Sequence, residues 1–131
     1  MNTIKKILMA LLFVLSLNAI FITPLAAATS GRVMQAIDNT VIHIETAQKA
    51  VDANDSEAAQ EHIKAARQAA KNIIGGSLEV SVQRGSSALS KARRSLNKND
   101  LSGASKALKN ALDIFKSLAG TLNRSGRGGL K

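Results

Sequence analysis

Apolar residues along this chain recur in alternating steps of three and four from residue 33 onward. The first row is Val33, Ile37, Thr40, Ile44, Ala47, Val51, and the second is Ala59, Ile63, Ala66, Ala70, Ile73. The third is Leu78, Val82, Gly85, Leu89, Ala92, Leu96, and the fourth is Leu101, Ala104, Leu108, Ala111, Phe115, Leu118, Leu122. Such steps keep one stripe of a helix in register with a partner, at a period near 3.5. Four helices of about 20 residues are predicted, each roughly 30 Å long. Rows one and three coincide at an offset of 45 residues, as do rows two and four. Residues 33–76 and 78–121 are therefore one two-helix unit written twice. Asn54-Asp55 returns as Asn99-Asp100, Ile63-Lys64 as Leu108-Lys109, Lys71 as Lys116, and Gly75 as Gly120. One such hairpin has an apolar face that it cannot bury alone, and two copies can cover each other.

The breaks between rows carry the chemistry of helix ends. Asn54-Asp55-Ser56 and Asn99-Asp100 supply short oxygen-bearing side chains that cap free N–H groups in a first turn. Gly75-Gly76 followed by Ser77 is expected to end the second helix and cap the third. Short connections make successive helices antiparallel neighbours. The predicted fold is all-α, an up-down-up-down antiparallel four-helix bundle built from two repeated helical hairpins. Gly85 lies inside a predicted helix, where it costs about 1 kcal/mol relative to alanine. It either admits a bulky neighbour or marks a bend. The fourth helix is expected to run a turn past Gly120, because Leu122 keeps the stripe.

Ahead of the repeat the pattern is different. Lys5 and Lys6 precede an almost unbroken apolar run over residues 7–22, and Pro24 leads into Leu25-Ala26-Ala27-Ala28. A positive start, an apolar stretch and small residues at −3 and −1 make a Sec-type signal peptide over residues 1–28, cleaved before Thr29. The expected destination is periplasmic or secreted, in a bacterium. Residues 29–76 and 77–122 then form hairpins 1 and 2 of one domain, with residues 123–131 as a flexible basic tail. The chain has no cysteine, which removes disulfides, thiolate metal sites and a cysteine nucleophile. Phe115 is the one aromatic residue after the signal.

Charge separates the two hairpins. Residues 29–76 hold five Lys/Arg against six Asp/Glu, whereas residues 77–131 hold eleven against three. Arg84, Lys91, Arg94 and Lys98 lie on the third helix, Lys106, Lys109 and Lys116 on the fourth, and Arg124, Arg127 and Lys131 beyond. Such a surface attracts anionic lipid or acidic polysaccharide, although charge runs also serve as plain solvated faces. Nucleic acid is disfavoured as a partner, since no aromatic offers a stacking platform and the signal directs the chain out of the cytoplasm.

Only His43 and His62 invite a chemical reading. Each directly precedes a stripe isoleucine, so both flank the seam between helices 1 and 2. With the turn near Asn54-Asp55, His62 sits about four residues, or roughly 6 Å, along the axis from the level of His43. Two imidazoles can bridge that gap to share an ion. The positions three and four residues away are Asn39, Thr40, Thr46 and Ala47 around His43, and Ala58, Ala59, Ala65 and Ala66 around His62. None is a carboxylate or an imidazole, which leaves open two half-exposed rings on a core flank. Neither histidine has a carboxylate orienter at helical spacing, and no phosphate loop follows a strand. The chain is expected not to be an enzyme.

The signal, the small size, the doubled hairpin and the turns closing on Asn-Asp and Gly-Gly resemble the small metal-binding protein family of bacterial periplasms. The likeness covers about residues 33–120. It includes His43-Ile44-Glu45-Thr46-Ala47 and Glu61-His62-Ile63-Lys64-Ala65, which fit the family pattern without gaps. The resemblance implies a His-rich four-helix bundle that takes up divalent copper, nickel or zinc, with His43 and His62 where the family places histidines. Here Ala50, Asp55 and Ala69 stand where further histidines tend to occur, and hairpin 2 has none. The chain thus resembles a His-poor relative, either one that has lost high-capacity metal binding or one that binds such ions weakly.

Overall fold

The structure, a computed structural model, describes the backbone of residues 28–127 and the side chains of residues 30–125. The signal-peptide reading and the last residues of the tail fall outside the described residues. Four helices follow one another: α1 Ala28–Asp52, α2 Ser56–Ala70, α3 Glu79–Asn97 and α4 Leu101–Arg127. Each packs against the next, and α4 closes against α1, while neither diagonal pair meets. That is the predicted all-α, up-down-up-down bundle. The α1–α4 seam is more extensive than the α2–α3 seam, because α1 and α4 have 25 and 27 residues and α2 and α3 only 15 and 19. No described helix is long and apolar enough to cross a membrane.

The core is formed by the four stripes. Every residue of rows one and two is buried, and rows three and four are buried except for the half-buried Val82, Leu101 and Leu122. Ala36, Ala88 and Ala107 widen the stripes. Thr40 is the buried polar member, and its hydroxyl donates to the Ala36 carbonyl one turn back at 2.7 Å. A buried hydroxyl paired in this way avoids the cost of an orphaned donor.

The repeated Asn-Asp dipeptide has a structural cause. Asn54 and Asn99 both sit in the left-handed region, at φ 57° and 56°. Asparagine tolerates this conformation better than most side chains. In each turn the Asn N–H donates three residues back, to Val51 or Leu96. The Asp N–H donates five residues back, to Ala50 at 2.8 Å or Ser95 at 2.9 Å. This pair of bonds is the Schellman closure of a helix. The same aspartate then starts the next helix. Asp55 Oδ1 accepts from the Ala58 N–H at 3.0 Å, and Asp100 Oδ1 from the Gly103 N–H at 2.8 Å. One residue thus finishes one helix and caps the following one, which makes the connection short enough to hold the helices antiparallel.

The link between hairpins differs from expectation. Helix α2 stops at Ala70, well before Gly75, as Lys71, Asn72 and Ile73 donate three residues back and tighten the chain out of α-geometry. Ile73 still turns into the core, but from the link and not from the helix. Gly75 adopts φ 148°, a conformation that L side chains rarely take. Ser77 is not the cap of α3. Leu78 holds that position with no side-chain hydrogen bond, and its burial anchors the helix start instead. Helix α4 also runs through Gly120 to Arg127, so residues 123–127 continue the helix rather than forming the expected tail.

Gly85 admits a bulky neighbour. A β-carbon there would lie 2.5 Å from Phe115 Cε2 and 2.6 Å from Cζ. The positions equivalent to Gly85 and Phe115 in hairpin 1 are Thr40 and Ala70. One copy of the repeat pairs a medium with a small side chain, and the other pairs none with the largest in the core. The two hairpins fill their interiors by opposite divisions of volume, as close packing requires.

Candidate functional site

His43 and His62 meet across the α1–α2 groove. Residue 43 lies about 80° around α1 from the centre of its buried stripe, on the flank that faces α2. Helix α2 reaches His62 about two turns after its Asp55 cap, and its axial offset brings the second ring to the same place. The two Nδ1 atoms are 3.5 Å apart, with ring centres 5.7 Å apart and planes at 29°. With ring bonds of about 1.35 Å, a ring nitrogen sits about 1.15 Å from its own ring centre. Two nitrogens 3.5 Å apart can then hold their centres at most about 5.8 Å apart. The observed separation is nearly that limit, so the rings meet edge to edge, each Nδ1 aimed at the other. At 3.5 Å the contact is a long one, and it becomes a hydrogen bond only when one ring carries its proton on Nδ1 and the other on Nε2.

Both rings are half-buried. Burial, and secondarily the charge of His62, push the pKa of His43 below its ordinary value of 6.5. Because the folded state holds this proton less readily than the unfolded chain, stability is complete above the ordinary value. It falls as the pH drops through the lowered one. Thermal melts are expected to show this decline between about pH 7 and pH 5, and His43→Gln is expected to flatten it. An equally steep decline in the variant would assign the effect to other groups.

The surroundings of the pair are sparse in donors. Among the described residues no group of three or more His, Cys, Asp or Glu side chains could hold a metal ion. Glu45, two residues after His43, is on the opposite flank of α1, where its carboxylate pairs with Lys116 of α4 at 2.8 Å. Near it Gln48 Nε2 donates to Ser105 Oγ at 2.7 Å, tying the same two helices. These α1–α4 contacts come from side chains of no special sequence pattern, and only the closing of the bundle brings them together.

Of the candidate cations, the seven from Arg84 through Lys116 do not form one patch. Arg84, Lys91 and Arg94 line a single open depression between α3 and α4, with Gln83, Ser87, Asn110 and Ile114 and no carboxylate. Lys98 continues that stripe at the end of α3, two turns beyond Lys91. Lys106 is one turn before Asn110, at the rim. Lys116 is neutralised by Glu45, and Lys109, two turns before it, shares the stripe of α4 turned toward α1. All seven are exposed.

No protein-family model, no curated protein and no solved structure matches the chain. The site is therefore read from its own geometry.

Proposed function

We propose that this protein is a non-enzymatic, exported helical bundle that binds divalent copper, nickel or zinc weakly through His43 and His62. The observation that carries the reading is the in-line approach of the two Nδ1 atoms at 3.5 Å. Imidazole nitrogens bind these metals at about 2.0–2.1 Å, so a small parting of the rings admits an ion between them. The resemblance to periplasmic small metal-binding proteins agrees with this, and weak affinity agrees with the lack of a third His, Cys, Asp or Glu ligand among the described residues. Isothermal titration with Cu(II) and Ni(II) is expected to give saturable binding of one ion per chain, abolished in His43→Ala/His62→Ala. No saturable binding, or binding unchanged in the double variant, ends the proposal.

A second reading is favoured by one observation: Arg84, Lys91 and Arg94 share a depression free of carboxylates. Three fixed cations in one concavity suit the anionic head groups of lipid or acidic polysaccharide in the cell envelope. Cosedimentation with anionic vesicles is expected at low salt, fading as ionic strength rises and lost in Arg84→Gln/Lys91→Gln/Arg94→Gln. Indifference to salt would refute it.

A further inference from the structure

We infer that the His43–His62 pair is selective for a monovalent, two-coordinate ion of the silver(I) or copper(I) class over divalent ions. The inference rests on the proposal above that the pair is a metal site, and concerns which ion it takes.

The donor set is small and neutral. Two imidazoles converge, and among the described residues no third histidine, cysteine or carboxylate joins them. Of the helical neighbours, Ala47, Ala58, Ala59, Ala65 and Ala66 offer no donor atom, the Thr40 and Thr46 hydroxyls are bonded to the Ala36 and Ile42 carbonyls, and Asn39 carries only a neutral amide. Divalent zinc takes four ligands, and copper(II) and nickel(II) favour tetragonal sets, so half or more of such a shell would come from water. Two neutral rings also leave the full double charge of the ion uncompensated in a half-buried groove, where desolvating charge is costly. A single charge meets that penalty at far lower cost. Of the carboxylates nearest the pair in sequence, Glu45 is held by Lys116 on the other side of α1, and the exposed Glu61 forms no metal-holding group with the two rings.

The aim of the lone pairs adds a second, independent reason. At the zinc–imidazole bond length of about 2.0 Å, linear coordination by two nitrogens needs them about 4 Å apart with both lone pairs on one line, and slightly further for the larger silver(I). The observed nitrogens are 3.5 Å apart and lie almost on the line joining the ring centres. Parting the rings by about half an ångström, within the reach of small side-chain torsions, completes the linear arrangement. The gap alone would also suit an edge of a tetrahedron, about 3.3 Å at that bond length. A tetrahedral ion, however, requires both lone pairs to turn off the common line and converge beside it. In the linear complex both rings take the Nε2–H tautomer, which leaves each Nδ1 lone pair free for the ion.

The test uses silver nitrate in chloride-free buffer as the probe, since silver(I) needs no reductant. Titration of the protein with silver(I) and separately with zinc(II) is expected to give one silver ion per chain, bound at least about tenfold tighter than zinc. One-bond silver–nitrogen coupling is expected on the Nδ1 resonances of both His43 and His62 in the nitrogen-15 labelled protein. Either His43→Ala or His62→Ala, checked for helicity by circular dichroism, is expected to remove both signals, whereas Met34→Leu leaves them. Silver binding no tighter than zinc, silver binding that survives the histidine variants, or coupling to one ring only overturns the inference. If zinc, copper(II) or nickel(II) still saturates the pair while silver does not, the divalent reading stands and this one falls. If no ion binds through the histidines, both fall.

Discussion

Phe115→Ala is expected to destabilise the bundle by about 3–5 kcal/mol, the range for deleting a fully buried aromatic side chain. Phe115 is completely buried and is the largest side chain in the core. Its ring lies over Gly85, which has no side chain with which to fill the void. The cavity should therefore persist rather than collapse. A domain of about 100 residues has a total stability of about 5–15 kcal/mol, so the variant would keep only part of it. The melting temperature is expected to drop by about 12–40 °C, at roughly 4–8 °C per kcal/mol. Urea denaturation followed by circular dichroism measures it. A loss below about 1 kcal/mol would show that the ring does not anchor the interior.

Gly85→Ala is expected to go against helix propensity. In an exposed helix the change stabilises by about 1 kcal/mol. At this position the new methyl would stand 2.5 Å from one ring carbon of Phe115 and 3.2 Å from another, Cδ2. Either the ring leaves its rotamer or α3 moves away from α4, at a net cost of about 1–3 kcal/mol. Gly120→Ala is the contrast. That glycine is also helical, but the only neighbour within reach of a β-carbon is the end of the flexible Arg124 side chain at 4.0 Å. It is expected to stabilise by about 0.5–1 kcal/mol. Adding Phe115→Leu to Gly85→Ala should recover part of the loss, giving a coupling that independent sites would not show. A stabilised Gly85→Ala protein would mean that the ring is not seated against that backbone.

The two substitutions explain why the repeat is visible and yet imperfect. Thr40 and Ala70 in hairpin 1 correspond to Gly85 and Phe115 in hairpin 2. Read singly, Thr40 and Gly85 are weak points in their helices. Together with their partners they are two ways of filling similar space, one with a hydroxyl bonded to its own backbone and one with an aromatic ring.

The periodicity of apolar residues was enough to give the helix number, the antiparallel order and nearly every core position. A helix exposes one stripe per period, and that stripe is a local property of the chain. The Asn-Asp turns were equally legible, because capping is chemistry between residues a few positions apart. The link was less so. Gly75-Gly76 marks a true break, but α2 ends earlier, where three successive short-range bonds and the burial of Ile73 draw the chain inward. A buried side chain outside a helix carries the same letter as one inside it. Past Gly120 the helix continues, as the stripe position Leu122 led one to expect, but α4 runs about a turn further, to Arg127.

At the candidate site, spacing placed the two histidines in the same groove but could not aim them. Axial level follows from rise per residue and turn position. The head-on approach of two ring nitrogens depends on how α1 and α2 are rotated and on which rotamers the surrounding alanines allow. The pairing of Glu45 with Lys116, 71 positions later, and the gathering of Arg84, Lys91 and Arg94 beside Asn110 likewise arise only when hairpins and bundle close. What is periodic or local in this chain could be read along it. Where side chains from distant segments point, and which charges remain free, was decided by packing, since that depends on distances no linear pattern contains.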